Sequence, residues 1–420
     1  MNAISRRHLL KLMGASTLLA ASPSLLRAQT GTVARVVVVG GGFAGATAAK
    51  YLRLWSGGSV AVTLVDANPA HVSCILSNLV LNGSLDLRKI TFNYAALGSR
   101  YGVGFVQGQA NSIGSNSTGP YVRLASGQTL SCDRLILAPG IDFDAIPGLD
   151  STKVPHAWQA GPQTTLLKTQ LAAMPAGGTF VMTIPPAPYR CPPGPYERAC
   201  LVADYLKRTK PGSKVIVLDA NPGIVAEAAT FTKAFTQTYA GIVTYRSGVA
   251  VLSVDSAGRS VETNQGRFTA SVLNVIPPHR AGGIAAGAGL IPLGGRWAPV
   301  NPLSYESTSV PGVHVIGDAQ GTGQPKSGHI ANAEAKVCAD ALLRAFAGEQ
   351  PDPAPMTNSA CYSPITANTA SWLTAVFAYD PASRSMKVVP ASSGEAPNPT
   401  KDNFEKMFDW ADNLFADTFA

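Results

Sequence analysis

Cysteines are the residues of this 420-residue chain that are best suited to chemistry. Cys74 follows a short apolar segment, Cys191 lies in a turn rich in proline, and Cys361 lies in the last third of the chain. A cysteine thiolate can act as a nucleophile, bind a metal or exchange with a disulfide. The sequence contains no Cys-x-x-Cys pair and no Cys-x-x-Cys-His motif, so we expect neither a metal site nor haem attached to this chain.

The other three cysteines have apolar neighbours in strand or helix patterns, which predicts that Cys132, Cys200 and Cys338 are core residues. Six cysteines allow many pairings, and the sequence alone selects none of them. Cys200, nine residues after Cys191, is the main alternative to a distant cysteine as the disulfide partner of Cys191. Glu197 lies six residues after Cys191, where it is either a general base or an acid stabilised by a helix dipole.

A glycine-rich turn near the N-terminus predicts a dinucleotide site. A β-branched strand leads into the turn Gly40-Gly-Gly42-Phe-Ala-Gly45, and a helical pattern follows. Gly40 allows the tight turn, Gly42 lets a pyrophosphate approach the backbone, and Gly45 lets the helix pack on the strand. A second strand ends at Asp66, 21 residues after Gly45, where a carboxylate suits the two ribose hydroxyls.

Two later segments favour FAD over NAD as the nucleotide. Each is an apolar strand followed by a turn, one from Asp133 to Gly140 and the other from Gly312 to Ala319. Both resemble the paired motifs of flavoproteins with two dinucleotide-binding domains, in which an aspartate such as Asp318 accepts a hydrogen bond from the ribityl chain of FAD. A helix predicted over 330–347 would direct its positive N-terminal end at the flavin pyrimidine ring.

A second strand–helix–strand unit lacks the glycines that a nucleotide needs. Strands are predicted over 179–184 and 214–219, with a helix over 196–208 between them, which is where NAD(P)H would normally bind. The connecting turn, 185–197, instead reads Pro-Pro-Ala-Pro-Tyr-Arg-Cys-Pro-Pro-Gly-Pro-Tyr-Glu. Proline donates no N–H, and its ring crowds a phosphate. We therefore predict that NAD(P)H is not the electron donor.

The segment from Pro185 to Ala199 resembles the flavoprotein subunit of flavocytochrome c sulfide dehydrogenase. The resemblance extends from about residue 34 to residue 420. Ile75 departs from it, because the family commonly has an aromatic residue there. The other matching segments are His71-Val-Ser-Cys-Ile-Leu-Ser-Asn78, Ile276-Pro-Pro-His-Arg-Ala-Gly282, Pro325-Lys-Ser-Gly328, Cys361-Tyr-Ser363 and Asp417-Thr-Phe419.

The resemblance implies an α/β fold with two Rossmann-like dinucleotide-binding domains, of the glutathione reductase type, and a C-terminal α+β interface domain. We expect a discontinuous FAD-binding domain over 29–152 and 282–350. A second Rossmann-like domain without an NAD site would occupy 153–281. The interface domain, 351–420, would help to dock a c-type cytochrome subunit.

The resemblance also implies roles for single residues. Cys74 would form a thioether with the 8α-methyl group of the flavin, so FAD would be covalently attached. Cys191 and Cys361 would form a redox disulfide that faces the flavin, with Glu197 as the candidate base. Trp410 would pack near the flavin or the subunit interface. The full set of expected cofactor-binding residues is Gly40, Gly42, Ala44, Gly45, Asp66, Cys74, Ala110, Ala138, Pro139, Gly140, Asp318, Lys326 and Trp410.

The N-terminal segment, 1–28, has the pattern of an export signal. Arg6 and Arg7 precede His-Leu-Leu-Lys and a modestly apolar run that ends at Ala28. This pattern resembles a twin-arginine signal, and an ordinary Sec signal or a short anchoring helix are the alternatives. A twin-arginine signal would deliver the folded protein to the bacterial periplasm, where disulfides persist.

Charge and composition exclude several other classes of protein. The formal net charge is +8, and four basic residues but no acid precede residue 29, which leaves +4 for the remainder. This mild charge, without a run of Lys or Arg, argues against nucleic acid as a partner. No apolar stretch of about 20 residues lies in the body of the chain, and the predicted C-terminal helix, 404–419, is rich in acids, so we expect no stable membrane insertion.

The expected function is that of a periplasmic, FAD-dependent sulfide dehydrogenase subunit. It would oxidise hydrogen sulfide to sulfur or polysulfide and pass the electrons to a c-type cytochrome subunit, with haem on that partner only. The nearest alternative is a sulfide:quinone oxidoreductase, which needs an apolar, membrane-facing surface. A non-catalytic electron-transfer flavoprotein is the alternative from a different class.

Overall fold

The structure, a computed structural model, describes residues 34–420. Up to residue 143 the elements are β1 (Arg35–Val39), α1 (Phe43–Trp55), β2 (Ala61–Asp66), β3 (Ala70–Val72), α2 (Ser77–Leu81), β4 (Thr91–Asn93), α3 (Ala95–Tyr101), β5 (Gly104–Gln107), β6 (Ala110–Asn116), β7 (Gly119–Leu124), β8 (Thr129–Ser131), β9 (Arg134–Leu137) and β10 (Ile141–Phe143).

The chain continues through α4 (Pro162–Ala173), β11 (Thr179–Ile184), α5 (Gly194–Thr209), β12 (Lys214–Asp219), α6 (Ala228–Lys233), β13 (Val243–Arg246), β14 (Val251–Asp255), β15 (Ser260–Thr263), β16 (Gly266–Thr269), β17 (Val272–Val275), β18 (His279–Ala281) and α7 (Gly283–Gly287). The last elements are β19 (Val313–Val315), α8 (Gly328–Phe346), β20 (Met356–Pro364), β21 (Ala370–Asp380), β22 (Ser385–Val388), β23 (Gly394–Glu395) and α9 (Lys401–Phe419).

The predicted N-terminal strand is the centre of a parallel sheet with the order β19-β9-β1-β2-β5. Alternate valines of β1 face opposite sides of this sheet. Val36 and Val38 pack with α1 and α8, whereas Val37 and Val39 pack with the antiparallel sheet β6-β7-β8. Burial on both faces explains the uninterrupted valine run in the sequence.

A second parallel sheet has the order β13-β12-β11-β17. β11 and β12 have the predicted bounds, 179–184 and 214–219. One face packs against α4 and α5, and the other packs against the antiparallel sheet β14-β15-β16. β10 and β18 pair in antiparallel fashion where the chain passes between the two sheets. Together with the first sheet, this arrangement confirms the predicted α/β fold, while the predicted domain boundaries stay predictions.

The C-terminal segment forms an antiparallel sheet, β20-β21-β22, with β23 paired to β21. α9 packs against this sheet and against α1. Its apolar face is buried, whereas Asp402, Glu405, Asp409 and Asp412 are exposed. In residues 34–420 no helix combines the length and the apolar character needed to cross a membrane.

Three helices begin earlier than the sequence pattern predicts. α8 begins at Gly328, because the Ser327 hydroxyl caps it by accepting a hydrogen bond from the N–H of Ile330 at 3.3 Å. α9 begins at Lys401 for a similar reason, with Thr400 as its cap. α5 begins at Gly194, since a proline is tolerated in the first turn of a helix.

Candidate active site

The glycine-rich turn brings several predicted nucleotide residues together. Gly40 has φ +101°, and a Cβ at this position would collide with the carbonyl of Ala138. A Cβ on Gly45 would collide with the carbonyl of Gly40, so α1 packs this close to the turn only with glycine there. Asp66, at the end of β2, accepts a hydrogen bond from the N–H of Gly41 at 2.7 Å. These segments form one backbone cradle.

More of the predicted nucleotide residues lie around this cradle. Gly42 precedes α1 in extended conformation, and a Cβ there would approach only the ring of His71, at 3.5 Å. Ala110 and Pro139 line a polar cavity of about 440 Å³. Gly140, the residue after Pro139, has φ +67°, which favours glycine. The open space beside Gly42 is what the close approach of a phosphate requires.

A second cavity lies where three distant segments of the chain meet. It is lined by Cys74 from the loop before α2, by Cys191 from the loop before α5, and by Cys361 from β20. Its volume of about 60 Å³ is enough for a molecule of a few atoms. Other lining residues are Asn78, Trp158, Arg190, Glu197, Arg198 and Trp410.

Cys191 has an uncommon backbone conformation, with φ +59°. Such a conformation costs a non-glycine residue about 1–3 kcal/mol, and it persists only where the surroundings fix it. The N–H of Cys191 donates to the carbonyl of Lys326 at 2.7 Å. The preceding residue, Arg190, donates its N–H to His279 Nδ1 at 2.9 Å and accepts from Trp158 Nε1 at 3.1 Å. The loop is therefore fixed at the cysteine and at the residue before it.

The expected Cys191–Cys361 bond is not formed in the structure, in which all six cysteines, each within residues 34–420, are free thiols. The two residues do line one cavity, and the pKa of the Cys191 thiol is raised by burial and further by Cys361. The rival Cys200 is fully buried in α5 and is not among the lining residues of that cavity. Cys132 and Cys338 are also fully buried, as predicted for core residues. The pairing of Cys191 with Cys361 stays a prediction.

Glu197 is buried in the first turn of α5, where its carboxyl accepts a hydrogen bond from Asn78 Nδ2 at 2.9 Å. Burial raises the pKa of Glu197 to about 8, although Asn78 and Arg198 act in the opposite direction. Arg198 Nε donates to Asn78 Oδ1 at 2.9 Å, and its guanidinium also donates to the carbonyls of His156 and Ala157. An acid with a pKa close to neutral pH can accept and return a proton, which fits the predicted general base.

Buried polar atoms that lack protein partners test whether the residues present fit FAD. In the part of the chain that the structure describes, 34–420, four such atoms are Asp318 Oδ1, Arg190 Nη2, His71 Nε2 and Trp410 Nε1. Arg190 Nη1 lies 3.8 Å from Asp318 Oδ2. Buried polar groups are normally hydrogen-bonded, and the phosphates, hydroxyls and ring atoms of FAD provide both donors and acceptors. The residues present therefore fit FAD.

Cys74 lies close to the same group of residues. Cys74 lines the same cavity as Arg190. Burial raises the pKa of the Cys74 thiol, whereas Arg190 lowers it. Gly317, the residue before Asp318, packs against Ala44 in the first turn of α1, where a Cβ on Gly317 would lie only 2.9 Å from the Cβ of Ala44. Asp318 therefore lies near the start of α1. Arg190 therefore connects the cavity that holds the predicted attachment residue, Cys74, with the predicted ribityl-binding residue, Asp318, whose carboxylate is 3.8 Å from it.

Trp410 lines the cavity, whereas Lys326 does not. The Lys326 ammonium donates to the carbonyl of Gln320 at 2.7 Å and lies 3.7 Å from the centre of the Trp297 ring. Its side chain therefore stabilises its own loop, and its carbonyl is the group that contacts Cys191. Trp410, on α9, lines the cavity, and its place near the flavin or the subunit interface stays a prediction. A direct contact between Lys326 and FAD stays a prediction.

Asp219 ends the second strand of the second sheet, the position of the ribose-binding acid in a nucleotide domain. It is fully buried, and Oδ2 accepts from the hydroxyls of Tyr196 and Tyr245, both at 2.8 Å. Oδ1 accepts from the N–H of Asn221 at 2.9 Å and from its side chain at 2.7 Å. A carboxylate offers about four acceptor positions, so this one is fully used by the protein.

Three segments of the chain match described protein families. Residues 34–170 match the pyridine nucleotide-disulphide oxidoreductases, 164–277 match the central region of the flavoprotein chain of sulfide dehydrogenase (flavocytochrome c), and 353–419 match the flavin-binding region of flavocytochrome c sulphide dehydrogenase. Over 46 residues, 11% of this chain and 94% of the relative, it is 59% identical to the flavoprotein chain of sulfide dehydrogenase (flavocytochrome c) from Chlorobaculum thiosulfatiphilum. The chain belongs to this flavocytochrome c sulfide dehydrogenase flavoprotein family.

Membership of the flavocytochrome c family makes the protein an oxidoreductase with a flavin-binding domain, which implies FAD. Sulfide:quinone oxidoreductase from Aquifex aeolicus superposes with a TM-score of 0.76 at 17% identity, over 92% of each chain. NDH2 from Plasmodium falciparum in complex with NADH superposes with a TM-score of 0.69 at 10% identity, over 92% of this chain and 98% of that one. Identities this low show a common fold alone.

Sequence reasoning misses three polar residues of this flavocytochrome c site, namely Asn78, Arg190 and Arg198. Asn78 ends the motif that contains Cys74, and the two arginines lie in the segment that contains Cys191 and Glu197, so nearness to the cysteines was an available signal. Their mutual contacts were not predictable, because Asn78 and Arg198 are 120 positions apart and meet only through tertiary packing.

Proposed function

We propose that this chain is the sulfide-oxidising flavoprotein subunit of a periplasmic flavocytochrome c, and that it passes electrons to a c-type cytochrome subunit that carries the haem. The observation that carries the proposal is the small cavity lined by Cys74, Cys191, Cys361 and Glu197. Two of these cysteines provide a redox pair, and the third provides an attachment point for the flavin. Family membership supports the cytochrome partner.

The proposed reaction begins with proton removal from hydrogen sulfide by Glu197, whose buried carboxyl lines the cavity. Hydrosulfide then attacks one sulfur of a Cys191–Cys361 disulfide. A new S–S bond forms, the disulfide bond breaks, and its electron pair leaves on the second cysteine as a thiolate. The attacked cysteine then carries a persulfide. FAD, when bound, supplies an acceptor for two electrons that can be released singly, as a haem requires.

The flavin is proposed to be held in two ways. Cys74 forms the thioether to the 8α-methyl group, while the turn at Gly40, the Asp66 carboxylate and the Asp318 carboxylate provide non-covalent binding. The support is positional: Gly41 and Asp66 are hydrogen-bonded in one cradle, and Asp318 retains an unpaired, buried oxygen within the described residues, 34–420. Cys74 lines the same cavity as Arg190, which lies 3.8 Å from the Asp318 carboxylate.

We propose further that NAD(P)H is not the electron donor. The proline-rich loop before α5 offers few N–H groups to a phosphate. The four acceptor positions of Asp219 are used by Tyr196, Tyr245 and Asn221, so the usual ribose ligand is not available. Dehydrogenase activity with NADH or NADPH as donor would contradict this part of the proposal.

A sulfide:quinone oxidoreductase is the second candidate, because a structure of such an enzyme has the same fold over most of both chains. The exposed face of α9 weighs against it, since it presents acids rather than an apolar or basic surface to a membrane.

Export by the twin-arginine route is part of the proposal as well, and its signal, 1–28, lies outside the described residues.

Anaerobic mixing of the purified protein with sulfide tests the function. We expect bleaching of the flavin absorbance within the mixing experiment, then reoxidation by a c-type cytochrome and not by a soluble quinone. A flavin that sulfide leaves oxidised would contradict the enzyme and favour a passive electron-transfer flavoprotein. Reoxidation by quinone alone would favour the second candidate. Copurification of a haem-bearing subunit tests the partner independently.

A further inference from the structure

The loop between β11 and α5 carries Cys191, and its first end is tied to Asp219 through Asn221. Asn221 Oδ1 accepts a hydrogen bond from the N–H of Ala187 at 2.9 Å, and Nδ2 donates to the carbonyl of Pro185 at 3.0 Å. The N–H and the side-chain amide of the same asparagine donate to Asp219 Oδ1 at 2.9 and 2.7 Å. Asp219 thus fixes the side chain that holds the start of the loop.

The second end of the loop is tied to the other oxygen of the same carboxylate. The hydroxyl of Tyr196, in α5, donates to Asp219 Oδ2 at 2.8 Å. The hydroxyl of Tyr189 lies 3.5 Å from that of Tyr196 and donates to the carbonyl of Pro192 at 3.1 Å. Pro192 directly follows Cys191. The first turn of α5 is therefore bonded directly to Asp219, while Tyr189, which contacts Tyr196, holds the residue next to the redox cysteine. Asp219, Tyr196 and Tyr189 are all buried.

The backbone of Cys191 requires such support. Its left-handed conformation, φ +59°, is unfavourable for a residue with a Cβ, and it is maintained only when the neighbouring structure leaves no alternative. Hydrogen bonds to a buried carboxylate are about twice as strong as those between neutral groups. Asp219, an acid at the ribose-binding position of a nucleotide fold, is bonded to both Asn221 and Tyr196.

We propose that Asp219 is a positioning residue for the cysteine pair: through Asn221 and Tyr196 it fixes both ends of the loop and holds the Cys191 sulfur within reach of Cys361. The acid of a nucleotide fold serves, in this chain, to orient a disulfide. This inference rests on the proposed function, since it assumes that Cys191 and Cys361 exchange between dithiol and disulfide.

The test is a redox titration of the full-length protein in dithiol–disulfide buffers, with the labelled thiols of Cys191 and Cys361 located by mass spectrometry. Tyr196→Phe and Asn221→Ala should each lower the equilibrium constant for disulfide formation roughly tenfold, about 30 mV, because a looser loop holds the two sulfurs together less well. Tyr245→Phe is the matched control. It removes a hydrogen bond of the same length, 2.8 Å, to the same oxygen, but Tyr245 lies on β13 and not beside the loop. It should retain the wild-type constant.

The positioning role of Asp219 would be overturned if Tyr196→Phe and Asn221→Ala had the wild-type equilibrium constant for disulfide formation. It would also be overturned if Tyr245→Phe lowered that constant as much as they do. If these variants do not fold, Tyr189→Phe replaces them. It removes the bond to Pro192 and the hydroxyl contact with Tyr196 but leaves the bonds of Asp219 in place, and it should shift the constant in the same direction. The wild-type titration separates the two proposals. A wild-type protein that forms no Cys191–Cys361 disulfide at any potential contradicts the proposed function and this inference together, whereas a normal wild-type titration with unshifted variants contradicts this inference alone.

Discussion

Asn78 and Glu197, 119 positions apart in the chain, are joined by a hydrogen bond of 2.9 Å. Asn78 lies in α2, which follows Cys74, and Glu197 lies in α5, which follows Cys191. The bond therefore connects the segment expected to bind the flavin with the segment expected to react with sulfide. Asn78 Oδ1 also accepts a hydrogen bond from Arg198 Nε, so the Asn78 amide bonds both the buried carboxyl of Glu197 and the buried guanidinium of Arg198.

Replacing Asn78 by alanine should lower the free energy of unfolding by about 2–3 kcal/mol. The reason is that the buried, charged guanidinium of Arg198 loses the acceptor of its Nε–H group. Urea denaturation measures this change. Asn82→Ala is the control, since Asn82 is also buried at the end of α2 but its Nδ2 has no partner within residues 34–420. Equal losses in the two variants would contradict the role given to Asn78.

The rate at which sulfide reduces the enzyme should rise with pH through a limb centred near the pKa of Glu197, about 8. The sign follows from burial, which favours the neutral acid: below pH 8 most Glu197 is protonated and cannot accept a proton, and above it the carboxylate predominates. Glu197→Gln should lose this limb and be slower by roughly 10²–10⁴-fold near pH 8, where the Glu197 carboxylate and undissociated hydrogen sulfide are both present.

Rapid mixing from pH 6 to 10 measures this pH profile. Sulfide itself also ionises with pH, so the decisive quantity is the ratio of wild-type to Glu197→Gln rates at each pH. Glu262→Gln, a change at a half-buried residue that does not line the cavity, is the control and should match the wild type. A ratio that stays constant across the range would assign Glu197 to the helix dipole rather than to catalysis.

Acid denaturation of the purified protein should leave FAD attached to the polypeptide. Cys74→Ala should release the flavin on denaturation yet bind it when folded, because the glycine turn and Asp318 hold it without the thioether. Absorbance of the precipitate and the supernatant measures the distribution. Cys361→Ser, a change at another thiol of the same cavity, should keep the flavin attached. Free FAD in the wild-type supernatant would refute the assignment of Cys74.

Changing both Arg6 and Arg7 to lysine should keep the protein in the cytoplasm, because the twin-arginine pathway requires the arginine pair. Cell fractionation and immunoblotting measure the distribution, with the wild-type chain as the periplasmic reference. An unchanged periplasmic level of the double variant would point to the Sec alternative.

The parts of the fold that depend on local pattern were predictable from the sequence. The bounds of β11 and β12 and the turn from Gly40 to Gly45 follow from apolar runs and glycine spacing, and the structure has them where predicted. The start of α5 was misplaced by two residues, since its prolines resemble a loop while they are tolerated in the first turn.

The site was only partly predictable, because its contacts join distant segments. Cys191 and Cys361 were named as a pair from a family resemblance, and their common cavity depends on how β20 packs against α5. The raised pKa of Glu197 depends on burial, which a single sequence does not give. The saturation of Asp219 was equally inaccessible, since its partner Tyr245 lies on a different strand.

Peptide mapping of the oxidised protein without reduction, before and after one equivalent of sulfide, tests the central claim most directly. The account predicts a Cys191–Cys361 cross-linked peptide before sulfide, and afterwards its loss together with the mass of one added sulfur atom on one of the two cysteines. A peptide that links Cys191 to Cys200 instead, or free thiols at both Cys191 and Cys361 in the oxidised enzyme, would contradict it.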